Sequence, residues 1–176
     1  KKNQYTHHKK KKKKITYIET FANKKNDAYE NSLWLYDKER KNPKKLIKNI
    51  KSISAPQFSP NEKYIAYISS GKKKYKSNSQ LWLINLKTAR KRQLTKIAND
   101  VTDFQWSPDG EKIAIVVHHK KDDIKGTKPP IVVDRYQFKK DGYDFIESEN
   151  KQIHIMHLDK RGITQITNGN YDHVLP

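Results

Sequence analysis

The 176-residue chain contains no cysteine, so it can form neither a disulfide framework nor a zinc site with cysteine ligands. It also lacks any run of about 18 apolar residues, the length that a membrane-spanning helix requires. Acidic residues are scarce: 19 Asp and Glu stand against 38 Lys and Arg, which gives a net charge of +19. These absences argue against a disulfide scaffold and a membrane partner. They leave the compartment open, with the cytoplasm favoured.

The basic residues are mostly lysine, and eight of them lie in the first fourteen positions, as Lys1, Lys2 and Lys9–Lys14. We therefore assign 1–14 to a basic segment that can be disordered. A nucleic-acid partner is not expected, since only five of the 38 basic residues are arginine, the residue that favours bidentate phosphate and base contacts. A lysine-rich solvated surface explains the charge better, with a basic scaffold for anionic partners as an alternative.

Internal repeats are the strongest feature of the sequence, and several motifs recur after 48 positions. The matched pairs are Leu33-Trp34-Leu35 with Leu81-Trp82-Leu83, Lys45-Leu46-Ile47 with Gln93-Leu94-Thr95, Phe58-Ser59-Pro60 with Trp106-Ser107-Pro108, and 65–68 with 113–116. A third copy appears 72 positions after the second, where 152–155 matches 80–83 and Gln165-Ile166-Thr167 matches 93–95. This copy therefore holds 24 additional residues. An earlier, partial copy begins at Ile15.

Each unit predicts four short strands, at about 53–58, 63–69, 80–86 and 91–95 in the second unit. The second strand is apolar on both faces, as expected for a strand between two neighbouring sheets. Tandem four-stranded units of this length are typical of β-propeller blades, so the predicted class is all-β, with about three and a half antiparallel blades of a longer propeller. The predicted divisions are 15–52 as an incomplete blade, 53–99 as a blade, 100–170 as a blade with an insertion at about 120–150, and 171–176 as the start of the next blade.

The motifs resemble the propeller of the prolyl oligopeptidase family of serine peptidases. They comprise the turn Ser107-Pro108-Asp109-Gly110, the strand Leu81-Trp82-Leu83 and the strand Gln93-Leu94-Thr95. TolB-like propellers carry similar repeats. The insertion favours the peptidases: 129–143 and the residues after it resemble the acylaminoacyl-peptidase and dipeptidyl-aminopeptidase branch. The Lys9–Lys14 run departs from the pattern, because a Ser-Pro-Asp-Gly turn is expected there.

The resemblance implies a following α/β-hydrolase domain as partner, with the propeller selecting the peptide substrates that reach its catalytic triad. This chain has no Gly-x-Ser-x-Gly motif for the nucleophile, so we predict no catalytic residue in it. Ser59 and Ser107 precede proline and are interpreted as turn formers. A non-enzymatic TolB-like interaction propeller is the alternative function.

Candidate contact residues lie in the insertion. Asp134, Arg135 and Tyr136 are predicted to face the substrate or the hydrolase domain, with a surface ion pair between Asp134 and Arg135 as the alternative. Histidines do not predict a metal site: His7-His8 and His118-His119 are adjacent, whereas ligands on one strand face need a spacing of two. His154 and His157 are three apart and point to opposite faces. We therefore predict neither a metal nor another cofactor.

Overall fold

The computed structural model describes 3–4, 14–25, 27–39, 41–70, 78–119, 139–140, 143–145, 150–160, 162–169 and 171–176, with backbone alone for 3–4, 139–140 and 143–145. These residues form fourteen β-strands and contain no helix. The antiparallel ladders join twelve of the strands into three four-stranded sheets. The all-β arrangement predicted from the repeats is thus present.

The strands follow the repeats of the sequence. Sheet 1 contains β1 (Asn3–Gln4), β2 (Lys14–Asn23), β3 (Ala28–Asp37) and β4 (Asn42–Ile50). Sheet 2 contains β5 (Ser54–Phe58), β6 (Tyr64–Ser69), β7 (Gln80–Asn85) and β8 (Lys91–Gln93). The last part of the chain contains β9 (Asp100–Trp106), β10 (Lys112–His119), β11 (Lys139–Lys140), β12 (Tyr143–Phe145), β13 (Asn150–His157) and β14 (Ile163–Gln165). Sheet 3 has the order β14-β13-β10-β9, while β11 and β12 form a separate ribbon.

Sheet 2 lies between the other two sheets, and its strand β6 is apolar on both faces. Ile65 and Tyr67 of β6 share one buried cluster with Ile18 and Leu33 of sheet 1. The alternate residue Ala66 belongs to a second cluster that includes side chains of sheet 3. Successive side chains of a strand point to opposite faces, so one strand supplies both cores. This arrangement agrees with the two-faced burial predicted for the second strand of the unit.

The Ser-Pro-Asp-Gly turn joins β9 to β10 through local hydrogen bonds. Lys112 N donates to Ser107 Oγ over 2.9 Å, and Gly110 N donates to the Ser107 carbonyl over 2.9 Å. Gly110 has φ of 76°, in the left-handed region that glycine adopts without a Cβ clash. The corresponding turn of sheet 2 places Glu62 at φ of 56° instead. The turn of the second unit, which has Asn61-Glu62 in place of Asp109-Gly110, therefore also uses the left-handed region at its last residue.

The insertion is described only in part. Lys139 pairs with Phe145, and Lys140 pairs with Tyr143. The sequence predicts a ribbon here between 131–138 and 143–147, turning at Asp141-Gly142. The observed pairing uses 139–140 and 143–145, while 131–138, Asp141 and Gly142 lie outside the described residues.

Candidate functional site

The predicted contact residues Asp134, Arg135 and Tyr136 lie outside the described residues, as do His7 and His8. Their roles stay predictions. The described part of the chain offers three other groups of polar or aromatic side chains that sequence reasoning did not single out as sites. These are a histidine pair in sheet 3, a repeated glutamine–threonine network, and an aromatic cluster on sheet 1.

The two turn serines hold their turns. Tyr64 N donates to Ser59 Oγ over 3.0 Å, and the Ser59 hydroxyl donates to Asn61 Oδ1 over 2.8 Å. The Ser107 hydroxyl likewise donates to Asp109 Oδ1 over 2.5 Å, and this hydrogen bond is the main reason that the pKa of Asp109 lies below its usual value. Neither hydroxyl has a histidine among the hydrogen-bond partners found here. Both serines act as the predicted turn formers.

His119 and His154 form a stacked pair, with ring centroids 5.4 Å apart and an interplanar angle of 21°. His154 pairs with Ile115 across the β10–β13 ladder, so His119, four residues beyond Ile115, lies on the same face. His119 Nδ1 lies 3.3 Å from Asn99 Nδ2, whereas its buried Nε2 has no hydrogen-bond partner among the residues that the structure describes. Burial, and secondarily the proximity of His119, lower the pKa of His154, while a hydrogen bond with the Gln152 carbonyl opposes the shift.

This pair escapes a search for motifs within one strand, because its members belong to two strands. One signal was available, because the 72-residue offset aligns His154 with Trp82. In the strand that contains Trp82, successive side chains point alternately toward the adjoining sheet and away from it. Pairing with His119 additionally requires the strand register, which the sequence does not specify.

The same glutamine–threonine network occurs in sheets 2 and 3. It joins β7 to the residues after β8, and β13 to the residues after β14. In sheet 2, the Thr95 hydroxyl donates to Gln80 Oε1 over 2.8 Å, and Leu81 N donates to Thr95 Oγ1 over 2.9 Å. In sheet 3, the Thr167 hydroxyl donates to Gln152 Oε1 over 2.8 Å. The side chains of Gln80 and Thr95 are buried, so these bonds satisfy polar groups that water does not reach. The network is structural.

The aromatic cluster of sheet 1 is built on Tyr17 and Trp34, whose rings stack at 6.1 Å with an interplanar angle of 3°. Trp34 Nε1 donates to Glu19 Oε2 over 2.9 Å, and Lys45 Nζ lies 4.5 Å from the centre of the Trp34 ring. Lys45 Nζ is also 3.8 Å from Glu19 Oε2, with both side chains partly exposed, so this ion pair contributes little to stability. The cluster presents rings and two opposite charges on one face of a sheet.

Among the described residues, no three His, Cys, Asp or Glu side chains lie close enough to hold a metal ion. No helix in that part of the chain is long and apolar enough to span a membrane. The described part of the chain exposes the faces and edges of stacked sheets.

Comparisons with known proteins give the same architecture. Pyrococcus horikoshii acylaminoacyl peptidase superposes on 93% of this chain with a TM-score of 0.72 and 21% identity. The β-propeller domain of the trilobed protease from Pyrococcus furiosus covers 90% of the chain, with a TM-score of 0.56 and 20% identity, and the match takes in 41% of that domain chain. TolB from Acinetobacter baumannii covers 78% of the chain and is matched over 27% of its own length, with a TM-score of 0.51 and 20% identity.

The chain has a β-propeller fold. This confirms the predicted class, a β-propeller fragment built of four-stranded antiparallel sheets. The chain spans 24% of the length of the P. horikoshii peptidase that it matches. No protein-family model matches the sequence, and neither does any curated protein sequence.

Proposed function

We propose that this chain is the propeller portion of a serine peptidase of the prolyl oligopeptidase family, in the acylaminoacyl-peptidase or dipeptidyl-aminopeptidase branch. The proposal rests on the extent of the structural match: acylaminoacyl peptidase superposes on 93% of the chain with a TM-score of 0.72. TolB accounts for 78% at 0.51. The Ser-Pro-Asp-Gly turn and the Leu-Trp-Leu and Gln-Leu-Thr strands support the same assignment from the sequence.

In this proposal the blades select peptides for an α/β-hydrolase domain of the same parent protein. The chain contributes no nucleophile, since it has no Gly-x-Ser-x-Gly motif and its two turn serines are engaged in their turns. Selection then depends on the shape and charge of the blades and of the insertion. Asp134, Arg135 and Tyr136 are the proposed contacts with the substrate or with the hydrolase domain.

The blade divisions belong to the same proposal, including 171–176 as the start of a further blade. Two hydrogen bonds support this boundary. Lys151 N donates to Asp172 Oδ1 over 2.9 Å, as Ser79 N donates to Asp100 Oδ1 over 2.6 Å. His173 N donates to the Lys151 carbonyl over 2.8 Å, as Val101 N donates to the Ser79 carbonyl over 2.8 Å. Residues 172–173 therefore repeat the first two residues of β9.

The insertion provides a direct test. Replacing 122–149 with a short Gly-Ser bridge should leave the blades folded, because β10 and β13 pair along their whole length without it. In the parent protein the deletion should weaken association with the hydrolase domain or broaden the range of peptides cleaved. A matched control exchanges Lys87-Thr88, in the exposed β7–β8 turn of sheet 2, for Gly-Ser. If the deletion unfolds the propeller, or leaves both association and selectivity unchanged, the role of the insertion is disproved.

A TolB-like interaction propeller is the second candidate function, since two TolB structures share the fold at TM-scores of 0.51 and 0.55. The two functions differ in one accessible property. The peptidase proposal requires a hydrolase domain with a Gly-x-Ser-x-Gly motif on the same polypeptide, and the TolB-like function requires none. The purified 176-residue chain should hydrolyse no peptide or ester under either function. Activity sensitive to a serine-directed inhibitor would contradict both.

A further inference from the structure

The outermost strands of sheets 1 and 2 collect positive charge. Residues 41–51, which include β4, contain five basic residues and no acidic one, and 87–96, which include β8, also contain five and none. Because β4 and β8 are the last strands of their sheets, these residues follow the outer edge of both. We call the ten residues the basic rim: Lys41, Lys44, Lys45, Lys48, Lys51, Lys87, Arg90, Lys91, Arg92 and Lys96.

The charges of the basic rim are exposed and mostly uncompensated. Nine of its ten side chains are exposed, and Lys45 is half-buried. Within the described residues, Lys45 is the one member of the rim with an ion-pair partner, Glu19, at 3.8 Å. The other members repel one another with no carboxylate between them. An anionic partner would relieve this repulsion.

A uniformly lysine-rich surface does not explain the basic rim. The innermost strands β5 and β9 contain no Lys or Arg, and their only charged residues are Asp100 and Asp103. Solvent does reach β9, because Thr102, Asp103 and Gln105 are exposed. The positive charge is therefore concentrated on one side of the sheets.

Protection of the sheet edges does not explain the rim either. Charged side chains, lysine above all, do keep exposed edges from pairing with other chains. The outer strand of sheet 3 is an edge of the same kind, yet β14 reads Ile163-Thr164-Gln165 and carries no charge. The 72-residue offset aligns 159–168 with 87–96, and that stretch holds two basic residues and one acidic residue. An outer edge of this fold does not require the charge that β4 and β8 carry.

We propose that the basic rim binds a flexible acidic segment of a partner protein. Eight of its ten residues are lysines, whose single charges on flexible stems suit carboxylates spread along a mobile chain. Nucleic acid is disfavoured, because it is bound through arginine forks and stacked aromatic rings. In the described part of the chain, the exposed aromatic side chains Tyr29 and Tyr171 lie outside the rim. A second copy is excluded as the partner by the net charge of +19.

The rim stays accessible in a longer propeller. Blades pack around the axis through the faces of their sheets, so a further blade before sheet 1 or after sheet 3 would not cover the outer edges of β4 and β8. The inference therefore depends neither on how many blades the parent protein has nor on the peptidase function.

The test measures binding of a fluorescent polyglutamate peptide of about 20 residues, longer than the nine-residue strand β4, in about 0.15 M NaCl. One variant changes five exposed rim residues to glutamine, and the control changes five exposed lysines elsewhere, so both lose the same charge. The rim variant combines Lys44→Gln, Lys48→Gln, Lys91→Gln, Arg92→Gln and Lys96→Gln. The control combines Lys24→Gln, Lys25→Gln, Lys63→Gln, Lys112→Gln and Lys160→Gln.

We expect the rim variant to bind at least about tenfold more weakly than the wild type, and the control to stay within about twofold of it. Circular dichroism checks that each variant keeps its strands. If the rim variant does not, a second one changes only rim residues outside the strands, with Lys160 then left unchanged in the control. It combines Lys41→Gln, Lys51→Gln, Lys87→Gln and Arg90→Gln.

Three results would overturn the proposal. The first is a wild-type chain that does not bind the peptide. The second is an equal loss of affinity in both variants, which would mean that net charge alone determines binding. The third is tighter, rim-dependent binding of a single-stranded oligonucleotide with the same number of charges, which would make the rim a nucleic-acid surface instead.

Discussion

His154 in sheet 3 occupies the repeat position of Trp82 in sheet 2, and both side chains face the preceding sheet of the propeller. Trp82 stacks on Tyr67 of the adjacent strand and donates its indole N–H to the Ser69 carbonyl over 3.1 Å. His154 instead stacks on His119. The exchange places a titratable ring in a contact that is otherwise apolar and aromatic.

Acid should therefore weaken the contact between sheets 2 and 3. Burial lowers the pKa of His154 below its unfolded value of about 6.5, so the folded state holds this ring neutral while the unfolded state takes up a proton. The stability it contributes is present above that unfolded value and is lost as pH falls toward the folded pKa. His154→Phe should reduce the fall of the urea midpoint between pH 7.5 and pH 5, measured at one protein concentration.

His157→Phe is the matched control for the pH experiment. His157 lies on the opposite face of β13 and is half-buried, and its replacement should leave the pH dependence of the wild type in place. An unchanged pH dependence in His154→Phe would contradict the assignment.

The glutamine–threonine network should be worth a measurable part of the stability. Gln80→Leu removes the acceptor of the buried Thr95 hydroxyl and of the partly buried Ile97 N, leaving both donors without this acceptor. We expect a loss of about 1–3 kcal/mol of unfolding free energy by urea denaturation. Combined with Thr95→Val, the two changes should fall short of additivity by about 1 kcal/mol. Full additivity would mean that the two side chains do not act together.

Gln105→Leu is the control for the network, because this glutamine of β9 is exposed. Its replacement should change the unfolding free energy by less than about 0.5 kcal/mol.

The two repeat turns should respond oppositely to glycine. Gly110→Ala forces a Cβ into the left-handed region and to 3.3 Å from Pro60 Cδ, so we expect a loss of about 1–2 kcal/mol. Glu62→Gly removes the side chain from φ of 56° and should stabilise by roughly 0.5 kcal/mol, the gain being reduced by glycine's freedom in the unfolded chain. Both values come from urea denaturation. If both substitutions raise the unfolding free energy, or both lower it, the backbone conformation is not the deciding factor.

Much of the fold could be predicted from the sequence, because the strand motifs recur after 48 positions and the second strand of the unit is apolar on both faces. The predicted strands of the second unit match β5 to β8 within two residues at each end. The pairing of Asn3–Gln4 with Ile18 and Glu19, which gives sheet 1 its fourth strand, could not be predicted, since two polar residues carry no periodicity. Asn3 and Gln4 belong to the segment 1–14, which the sequence predicts to be basic and able to remain disordered.

The candidate sites were less accessible to sequence reasoning. His119 and His154 belong to different strands, and their approach depends on register. The exposure of Tyr17 relative to Tyr67 depends on which sheet lies over each ring. Asp134, Arg135 and Tyr136 were selected from the insertion and stay a prediction.

The most direct test of the central claim measures how the parent protein selects peptides by length. The rate of hydrolysis is determined for peptides from two to about thirty residues, a range chosen to run beyond the reach of a single extended strand of typical length. The intact parent is compared with a version in which 15–176 is excised. If these blades select substrates for a hydrolase domain, the intact protein will favour short peptides and the excised version, where folded, will lose that preference. Equal length preference in the two proteins, or a parent polypeptide without a hydrolase domain, would contradict the account.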